Sequence, residues 1–313
     1  MAFVIAGLHH VTATVDQAQP DLDFCIRTLG LRLVKKTVNF DNHRVYHFYY
    51  GDERGTPGTI WTTFPYHGRG VRIGTKGDGQ ITVTSFSVPT ASLPFWTARL
   101  KQHGVPVVAP PPRFGERSII ATDPSGLLIE LVETDRDVRG YWEGGGVDAD
   151  DAVRGLHGVS LTLRTVEPTI AFLSEWLGFS LTERGAERVR LGVNGGGPGK
   201  QIDLIVSPDA PPAVNGIGTA HHVAVAVDDQ ATQVLLRDEL LERGIKVTPV
   251  MDRQYFQSIY FREPGGVLFE VATMRPGFDV DEPASQLGQS LKLPPWEEAS
   301  REEIERGLVK VRY

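Results

Sequence analysis

The chain has 313 residues, of which 41% are hydrophobic and 23% are charged, and its formal net charge is −7. This composition is typical of a folded protein with room for two cored domains, and the scattered basic residues form no continuous stripe for nucleic acid. The single cysteine, Cys25, excludes a disulfide framework and favours a reducing cytoplasm. No apolar run approaches the ~20 residues that cross a bilayer, so we expect neither export nor membrane insertion.

The N-terminal segment of the chain recurs in its second half. Residues 7–33, GLHHVTATV…LDFCIRTLGLRL, return as GLHGVSLTL…IAFLSEWLGFSL at a constant offset of 148, which places Leu8 on Leu156 and Gly30 on Gly178. The first stretch alternates like a strand, and the next has helical spacing that ends at a glycine. The first and third quarters are therefore copies of one unit.

The second and fourth quarters are also copies. The segments LKQHGVPVV…DPSGLLIELVET and LLERGIKVT…EPGGVLFEVATM correspond at a constant offset of 140, which places Pro124 on Pro264 and Glu130 on Glu270. Each quarter reads as a strand, a helix and further strands separated by turn signals. We therefore predict an α+β fold of four βαβββ modules that form two curved-sheet half-barrel domains.

The repeats also predict the domain boundaries. The four modules are expected at approximately residues 1–70, 79–134, 153–208 and 218–273. They form an N-terminal pair, 1–134, and a C-terminal pair, 153–273. The glycine- and acid-rich residues 135–152 have little to bury and are predicted to be a linker. Residues 274–313 fall outside the repeat and are predicted to be a tail with a short helix near residues 296–306.

Two His-His-Val tripeptides begin strand-like runs, and they contain the candidate metal ligands His10 and His222. Strand alternation predicts that both side chains face the concave side of a curved sheet. Two histidines and one strand carboxylate, here Glu270, form a set that holds non-haem Fe(II) and leaves positions open for oxygen and substrate. A lone strand histidine is more often a core residue, but two matched doublets favour a metal site.

The other two modules carry a degenerate version of this set. At the positions of His10, His222 and Glu270 they have Gly158, Thr82 and Glu130. A complete set therefore exists only if the first and fourth modules contribute to one cavity, which is the arrangement that we predict. One metal ion per chain is then expected. The buried Glu130 needs a cationic partner, for which Arg113 is the candidate.

An alternative ligand set takes His157, His222 and Glu270 from the C-terminal half alone, as in a catechol extradiol dioxygenase. The spacing of these residues suits one two-module domain. However, His157 corresponds to His9 and not to His10, so alternation places it on the helix-facing side unless the strand is bulged. This parity argument favours His10 and leaves the alternative open.

The modules resemble the vicinal oxygen chelate superfamily. The segments GLHHVTATV, GLHGVSLTL, TAHHVAVAV, DRQYFQSIYFREPGGVLFEVAT and LPPWEEASREEIE resemble its hydroquinone ring-cleaving dioxygenase branch, which includes chlorohydroquinone 1,2-dioxygenases. The resemblance implies Fe(II), with Mn(II) as the other accepted ion, held by His10, His222 and Glu270. The implied reaction inserts O2 into a hydroquinone-type aromatic ring, with or without halogen. A cytoplasmic homo-oligomer is expected from the general abundance of symmetric assemblies.

The same resemblance implies active-site roles for His9, Thr12, His221, Arg253 and Tyr260. Arginine and tyrosine can stabilise charge on a bound substrate, and a histidine near the metal can move protons. Alternation, in contrast, places His9 and His221 away from the cavity unless the strand ends twist them inward.

Two other classes of function stay open, because the same module serves different chemistries. A glyoxalase-type lyase or isomerase would chelate its substrate on a metal without using oxygen. A binding protein would sequester an aromatic ligand without any metal. Oxygen consumption separates the dioxygenase from both.

Overall fold

The computed structural model describes residues 5–313, and four copies of one strand and helix pattern recur within them. The first copy contains β1 (Gly7–Val15), α1 (Ala18–Leu22) with a π-helical continuation (Asp23–Thr28), β2 (Arg32–Asn39), β3 (Asn42–Gly51) and β4 (Ile60–Pro65). The second contains β5 (Gln80–Val88), α2 (Leu93–Gln102), β6 (Val107–Val108), β7 (Ser118–Thr122) and β8 (Leu128–Glu133). The third contains β9 (Gly155–Leu163), α3 (Glu167–Trp176), β10 (Ser180–Arg184), β11 (Arg188–Gly192) and β12 (Gln201–Val206). The fourth contains β13 (Thr219–Val227), α4 (Gln230–Glu242), β14 (Met251–Asp252), β15 (Gln257–Arg262) and β16 (Leu268–Thr273).

These strands form two eight-stranded mixed sheets. Sheet A joins the first and fourth modules in the order β14-β15-β16-β13-β1-β4-β3-β2, and sheet B joins the second and third in the order β10-β11-β12-β9-β5-β8-β7-β6. At the centre of sheet A, β1 and β13 are antiparallel, and each runs parallel to the last strand of its own module. The predicted α+β fold with curved half-barrel sheets is confirmed. Each sheet takes one module from either half of the chain, and the division into 1–134 and 153–273 stays a prediction.

The apolar positions of the central strands explain which face becomes the cavity. The valines that alternation placed on the helix side are fully buried: Val11, Val15, Val223, Val225 and Val227. Burying such a side chain contributes roughly 1.5–3 kcal/mol, so this face is held against α1 and α4. The opposite face, which carries His10 and His222, is left to line an open space. Within residues 5–313, no helix has the length and apolar character that crossing a bilayer requires.

The segment predicted to be a linker, 135–152, packs more closely than its composition suggested. Its Val147 and Ala152 side chains are buried. The guanidinium of Arg139 donates to the carbonyl oxygens of Gly58 and Leu156, each at 2.7 Å. Because Gly58 precedes β4 of sheet A and Leu156 lies in β9 of sheet B, this arginine ties the two sheets together.

The C-terminal tail packs on the edge of sheet A. Its helix α5 (Arg301–Gly307) follows a 3-10 turn (Glu298–Ser300) and lies close to the predicted residues 296–306. The ammonium group of the fully buried Lys35 on β2 binds Asp281 at 2.7 Å and Glu282 at 2.8 Å. These pairs fix the tail against the outermost strand.

Candidate metal centre and active site

Three side chains from three strands meet at the centre of sheet A. The Nε2 atoms of His10 on β1 and His222 on β13 are 3.2 Å apart. Oε2 of Glu270 on β16 lies 3.2 Å from the first nitrogen and 2.8 Å from the second. All three residues are buried. In the described part of the chain, no other group of three histidine, cysteine or acidic side chains is close enough to share a metal ion.

The order of the strands explains this convergence. The strands β1, β13 and β16 are consecutive, Thr12 pairs with His222, and Ala224 pairs with Glu270. Neighbouring strands are about 4.8 Å apart, so side chains on their concave face approach one point. The first and fourth modules thus supply the three groups jointly.

The spacing of the three atoms fits an octahedral ion. Ligands at about 2.1 Å from a metal are about 3.0 Å apart when they are cis in an octahedron and about 3.4 Å apart in a tetrahedron. The observed separations of 2.8, 3.2 and 3.2 Å lie nearer to the octahedral value. A facial set of this kind leaves three coordination positions open.

The carboxylate of Glu270 also fits a cation. Its Oε1 accepts a hydrogen bond from the Ser258 hydroxyl, while Oε2 has no conventional donor. Burial alone would raise the pKa of Glu270, but the neighbouring His10 and His222 outweigh burial and hold that pKa well below its ordinary value. A buried, ionised oxygen without a donor is costly unless a positive charge lies beside it.

The first histidine of each doublet lies at a β-bulge, which alternation did not predict. The register between β1 and β13 shifts at His9 and again at His221. A bulge inserts one residue into a strand and redirects its side chain. His221 therefore lines the cavity, contrary to the prediction that it faces away. His9 is buried, and its ring lies 5.0 Å from that of His10 and 4.9 Å from that of Phe256, measured between centroids.

Each bulged histidine supports the histidine that follows it. The Nδ1 atoms of His9 and His10 are 2.8 Å apart, and those of His221 and His222 are also 2.8 Å apart. When Nε2 of the second histidine binds a metal, its Nδ1 carries the proton and donates, so the first histidine accepts. Burial, followed by the charge of the adjacent histidine, lowers the pKa of both His9 and His221 to about 3. Both rings therefore stay neutral acceptors.

Arg253 and Tyr260 form one unit on the wall of the cavity. The guanidinium Nε donates to the Tyr260 hydroxyl at 3.1 Å, and Nη1 lies 3.3 Å from Asp41. The Tyr260 ring lies 5.6 Å from the His222 ring. Burial opposes the charged form of Arg253, but Tyr260 and Asp41 raise its pKa above the ordinary value. The arginine thus presents a fixed positive charge beside the ligands.

The cavity has a volume of about 380 Å³ and extends over strands that the motifs did not mark. Thr12 lines it and accepts a hydrogen bond from Thr62 at 2.8 Å. His47 and Tyr49 on β3 also line it, and sequence reasoning missed them. The available signal was the run Tyr46-His-Phe-Tyr-Tyr50, in which His47 and Tyr49 share one face of a strand.

His157 does not join the candidate metal centre. It lies in sheet B, where Nδ1 is 3.2 Å from the Ser87 hydroxyl and Nε2 is 2.9 Å from Glu116. Its strand is bulged at this point, as the alternative ligand set required. Even so, its ring nitrogens are engaged within sheet B, and the alternative set with His222 and Glu270 does not form.

The degenerate position in sheet B contains a salt bridge where sheet A has its three ligands. Arg113 contacts both carboxylate oxygens of Glu130, with Nη2 and Oε2 2.6 Å apart, and the Ser118 hydroxyl donates to Glu130 at 2.7 Å. The guanidinium Nε also lies 3.2 Å from Asp203. The partner that the repeat predicted for Glu130 is the one observed.

Comparisons with known proteins agree with the predicted fold and enzyme class. The family model "Glyoxalase/Bleomycin resistance protein/Dioxygenase superfamily" matches residues 7–131 and 155–271. The chain is 41% identical over 309 residues to "Putative ring-cleaving dioxygenase MhqO" of Bacillus subtilis, covering 99% of this chain and 97% of that protein. It is 36% identical over 312 residues to "Chlorohydroquinone/hydroquinone 1,2-dioxygenase" of Sphingobium indicum, covering 97% and 96%.

Solved structures give the same result for the fold. The crystal structure of a "putative dioxygenase from Bacillus subtilis" superimposes with a TM-score of 0.93 at 41% identity, and the match covers 99% of both chains. Glyoxalase I from Zea mays has a TM-score of 0.63 at 16% identity, covers 86% of this chain and 92% of its own, and supports the fold alone. At the level of enzyme class, the names of the relatives confirm the prediction of a dioxygenase. The chain belongs to the Glyoxalase/Bleomycin resistance protein/Dioxygenase superfamily.

Proposed function

We propose that this protein is an Fe(II)-dependent dioxygenase that inserts O2 into a hydroquinone-type aromatic and opens the ring. The observation that carries the proposal is the buried set of His10, His222 and Glu270, whose ligand atoms lie 2.8–3.2 Å apart in an aromatic-lined cavity. The name of the Sphingobium indicum relative supports the substrate class. The two-histidine, one-carboxylate set favours Fe(II), and Mn(II) accepts the same ligands.

The size of the cavity suits a substituted single ring. A buried apolar space of about 150 Å³ is enough for benzene, and the cavity here measures about 380 Å³. Its walls carry Tyr49, Phe64 and Phe256, whose faces and edges pack well against an aromatic ring. A ring with substituents and a molecule of O2 can therefore occupy the cavity together.

The bound Fe(II) would supply open coordination positions at which a phenolic oxygen, acidified by the cation, and O2 come together. The protein prepares this event through fixed charges and protons. Arg253 offers a permanent positive charge to the ionised substrate. The hydroxyls of Tyr260 and Thr12 accept from Arg253 and Thr62, so each keeps its own proton available for a substrate oxygen.

The two bulged histidines would fix the metal ligands. His9 and His221 hold the Nδ1 protons of His10 and His222, which keeps Nε2 of each ligand unprotonated and directed at the metal. Because their own pKa values are about 3, protonation does not disturb this arrangement near neutral pH. Aromatic walls meanwhile limit the access of water, which strengthens the electrostatic contacts inside.

Oxygen consumption tests the proposal. The protein is purified without oxygen, loaded with Fe(II) or with Mn(II), and supplied in turn with hydroquinone, catechol and the methylglyoxal–glutathione adduct. We expect rapid O2 uptake with hydroquinone in the Fe(II) protein. Uptake with catechol alone would replace the proposed substrate class, and conversion of the glutathione adduct without O2 uptake would indicate a glyoxalase. Faster turnover with Mn(II) than with Fe(II) would reassign the metal.

A further inference from the structure

We propose that His47 recognises the second hydroxyl of a para-dihydroxy aromatic, because its Nδ1 accepts a hydrogen bond from that hydroxyl. This inference rests on the proposed function and adds a residue that determines specificity. His47 lies on β3 and lines the cavity, and it is neither a candidate metal ligand nor part of the Arg253–Tyr260 unit.

The imidazole of His47 is held in an aromatic slot. Its centroid lies 4.0 Å from that of Tyr49 and 4.2 Å from that of Phe64, with interplanar angles of 35° and 43°. Contacts this short on two sides restrict rotation of the ring. The polar edge of His47 is therefore presented in one orientation.

A chain of hydrogen bonds fixes the tautomer of His47. The Thr62 hydroxyl donates to Thr12 at 2.8 Å, so it must accept at its own oxygen from Nε2 of His47, which is 2.9 Å away. The proton of the neutral ring is thereby placed on Nε2, and Nδ1 is an acceptor. Among residues 5–313, Nδ1 of His47 has no hydrogen-bond partner.

The ring also stays neutral. Burial, followed by the charges of His10 and Arg253, lowers the pKa of His47 well below its ordinary value. A neutral imidazole with its proton committed to Thr62 cannot turn into a donor at Nδ1. The group is therefore selective for a ligand hydroxyl over a ligand carbonyl or ether oxygen.

Other polar side chains near this wall already have partners. The Asn39 amide donates to the Tyr66 hydroxyl at 2.9 Å, and its oxygen accepts from the Asp41 backbone. The Asp41 carboxylate faces Arg253 at 3.3 Å. His47 thus offers an acceptor on β3 that the protein itself does not use.

The strand order places His47 and Tyr260 on opposite sides of the three ligands. The ligands lie on the central strands β16, β13 and β1, Tyr260 lies on β15 to one side, and His47 lies on β3 to the other. Side-chain hydrogen bonds link His47 through Thr62 to Thr12, at 2.9 and 2.8 Å, and Thr12 is two residues from His10 on β1. A ring with one oxygen at the metal ligands carries its para oxygen away from them, towards such a site.

Binding without turnover tests the role of His47. Affinities of hydroquinone and of 4-methoxyphenol, which has no para proton to donate, are measured by calorimetry on the Fe(II)-loaded protein without oxygen. The variants are His47→Leu, which removes the acceptor, and His47→Asn, whose Oδ1 replaces Nδ1. The exposed surface histidine His67, changed to leucine, is the matched control.

We expect His47→Leu to lower the affinity for hydroquinone about tenfold and the affinity for 4-methoxyphenol less than about twofold, since one hydrogen bond is lost for hydroquinone alone. His47→Asn should recover most of the affinity for hydroquinone, and His67→Leu should change neither. Equal weakening of both ligands in His47→Leu, no change in either, or no binding of hydroquinone to the wild type would overturn the inference. Failure of the proposed function is separate, because it shows as absent O2 uptake by the wild-type protein.

Discussion

At the scale of single residues, the two histidine doublets divide their work. The second histidine of each doublet points Nε2 at the shared point, and the first accepts its Nδ1 proton from 2.8 Å away. Neutral histidines in this position orient a ligand without adding charge, whereas a carboxylate there would make the whole group more negative. The resulting set has a single anionic member, Glu270, which suits an ion that must also bind an anionic substrate.

Removal of any one candidate ligand should remove the metal. His10→Ala, His222→Ala and Glu270→Gln are each expected to lower metal affinity more than about tenfold, because two remaining ligands cannot hold the ion facially. Metal content per chain is measured by mass spectrometry and folding by circular dichroism. His157→Ala, a histidine of equal burial in sheet B, should keep the metal. Loss of metal from this control with retention in His10→Ala would contradict the ligand assignment.

Arg253 and Tyr260 should affect turnover and not metal content. Neither contacts the ligand atoms, and both line the cavity beside them. Arg253→Ala and Tyr260→Phe each remove one group that stabilises charge on the substrate, which typically lowers kcat by about 100-fold. Oxygen uptake and metal content are measured on the same preparations. A metal loss as large as in the ligand variants would show that these two residues belong to the metal centre itself.

At the scale of elements, the sequence predicted the strands that carry the ligands but not the β-bulges that turn the first histidine of each doublet. The doublets and the repeat were enough to predict which strands meet. The repeat offset put Thr82 at the position of His222, and this was wrong by one residue, because the strand register places Val83 there and Thr82 at the bulge that corresponds to His221. Alternation then correctly placed His10 and His222 on the cavity side and failed for His221. A bulge depends on the pairing between two distant strands, so the sequence around His221 does not reveal it. His47 was missed for a related reason, since nothing along β3 shows that its face closes the cavity.

The helix α1 is anchored to sheet A through a buried carboxyl group. Asp21 is almost fully buried and accepts hydrogen bonds from Tyr50 on β3 at 2.7 Å and from Thr63 on β4 at 2.5 Å. Burial raises the pKa of Asp21 to about 7, and the hydrogen bonds from Thr63 and Tyr50 oppose that rise only in part. The protonated form is therefore the one that fits the folded chain.

This anchor makes stability depend on pH. Between 3.8 and about 7 the folded state binds a proton at Asp21 that the unfolded state has released, so the free energy of unfolding should fall as pH rises through this window. Urea denaturation at pH 5 and pH 8 measures the difference. In Asp21→Asn the difference should shrink, whereas the exposed Asp209→Asn should behave as the wild type. An unchanged pH dependence in Asp21→Asn would place the titrating group elsewhere, for example at Asp123, whose pKa burial raises to about 6.

At the scale of the whole molecule, each sheet is built from two modules in the same way, but the two sheets have different groups at their centres. Sheet A surrounds its glutamate with two histidine nitrogens and an open cavity. Sheet B places the guanidinium of Arg113 against Glu130, in bidentate contact. The strand register puts Gly158 and Val83 at the positions of His10 and His222, and neither supplies a ligand. A fixed cation from the chain thus neutralises the carboxylate that a metal ion would neutralise in sheet A. Sheet B is joined to sheet A partly through Arg139, which links the residue before β4 to β9.

This division predicts one metal ion per chain and a structural role for Glu130. Glu130→Gln removes the bidentate partner of the mostly buried Arg113, and the guanidinium keeps only Asp203, at 3.2 Å, as an anionic partner. We expect the free energy of unfolding to fall by about 1–3 kcal/mol, with metal content unchanged, because sheet A holds all three ligands. Urea denaturation measures the first quantity, and metal analysis of the same sample measures the second.

Glu133→Gln is the control for this prediction. Glu133 is a buried carboxylate on the same strand, β8, and it lies 3.5 Å from Arg117. This variant shows whether the loss of any carboxylate charge from β8 lowers stability to the same extent. Close to two metal ions per chain, or a Glu130→Gln protein of full stability with half the metal, would mean that sheet B also binds a metal.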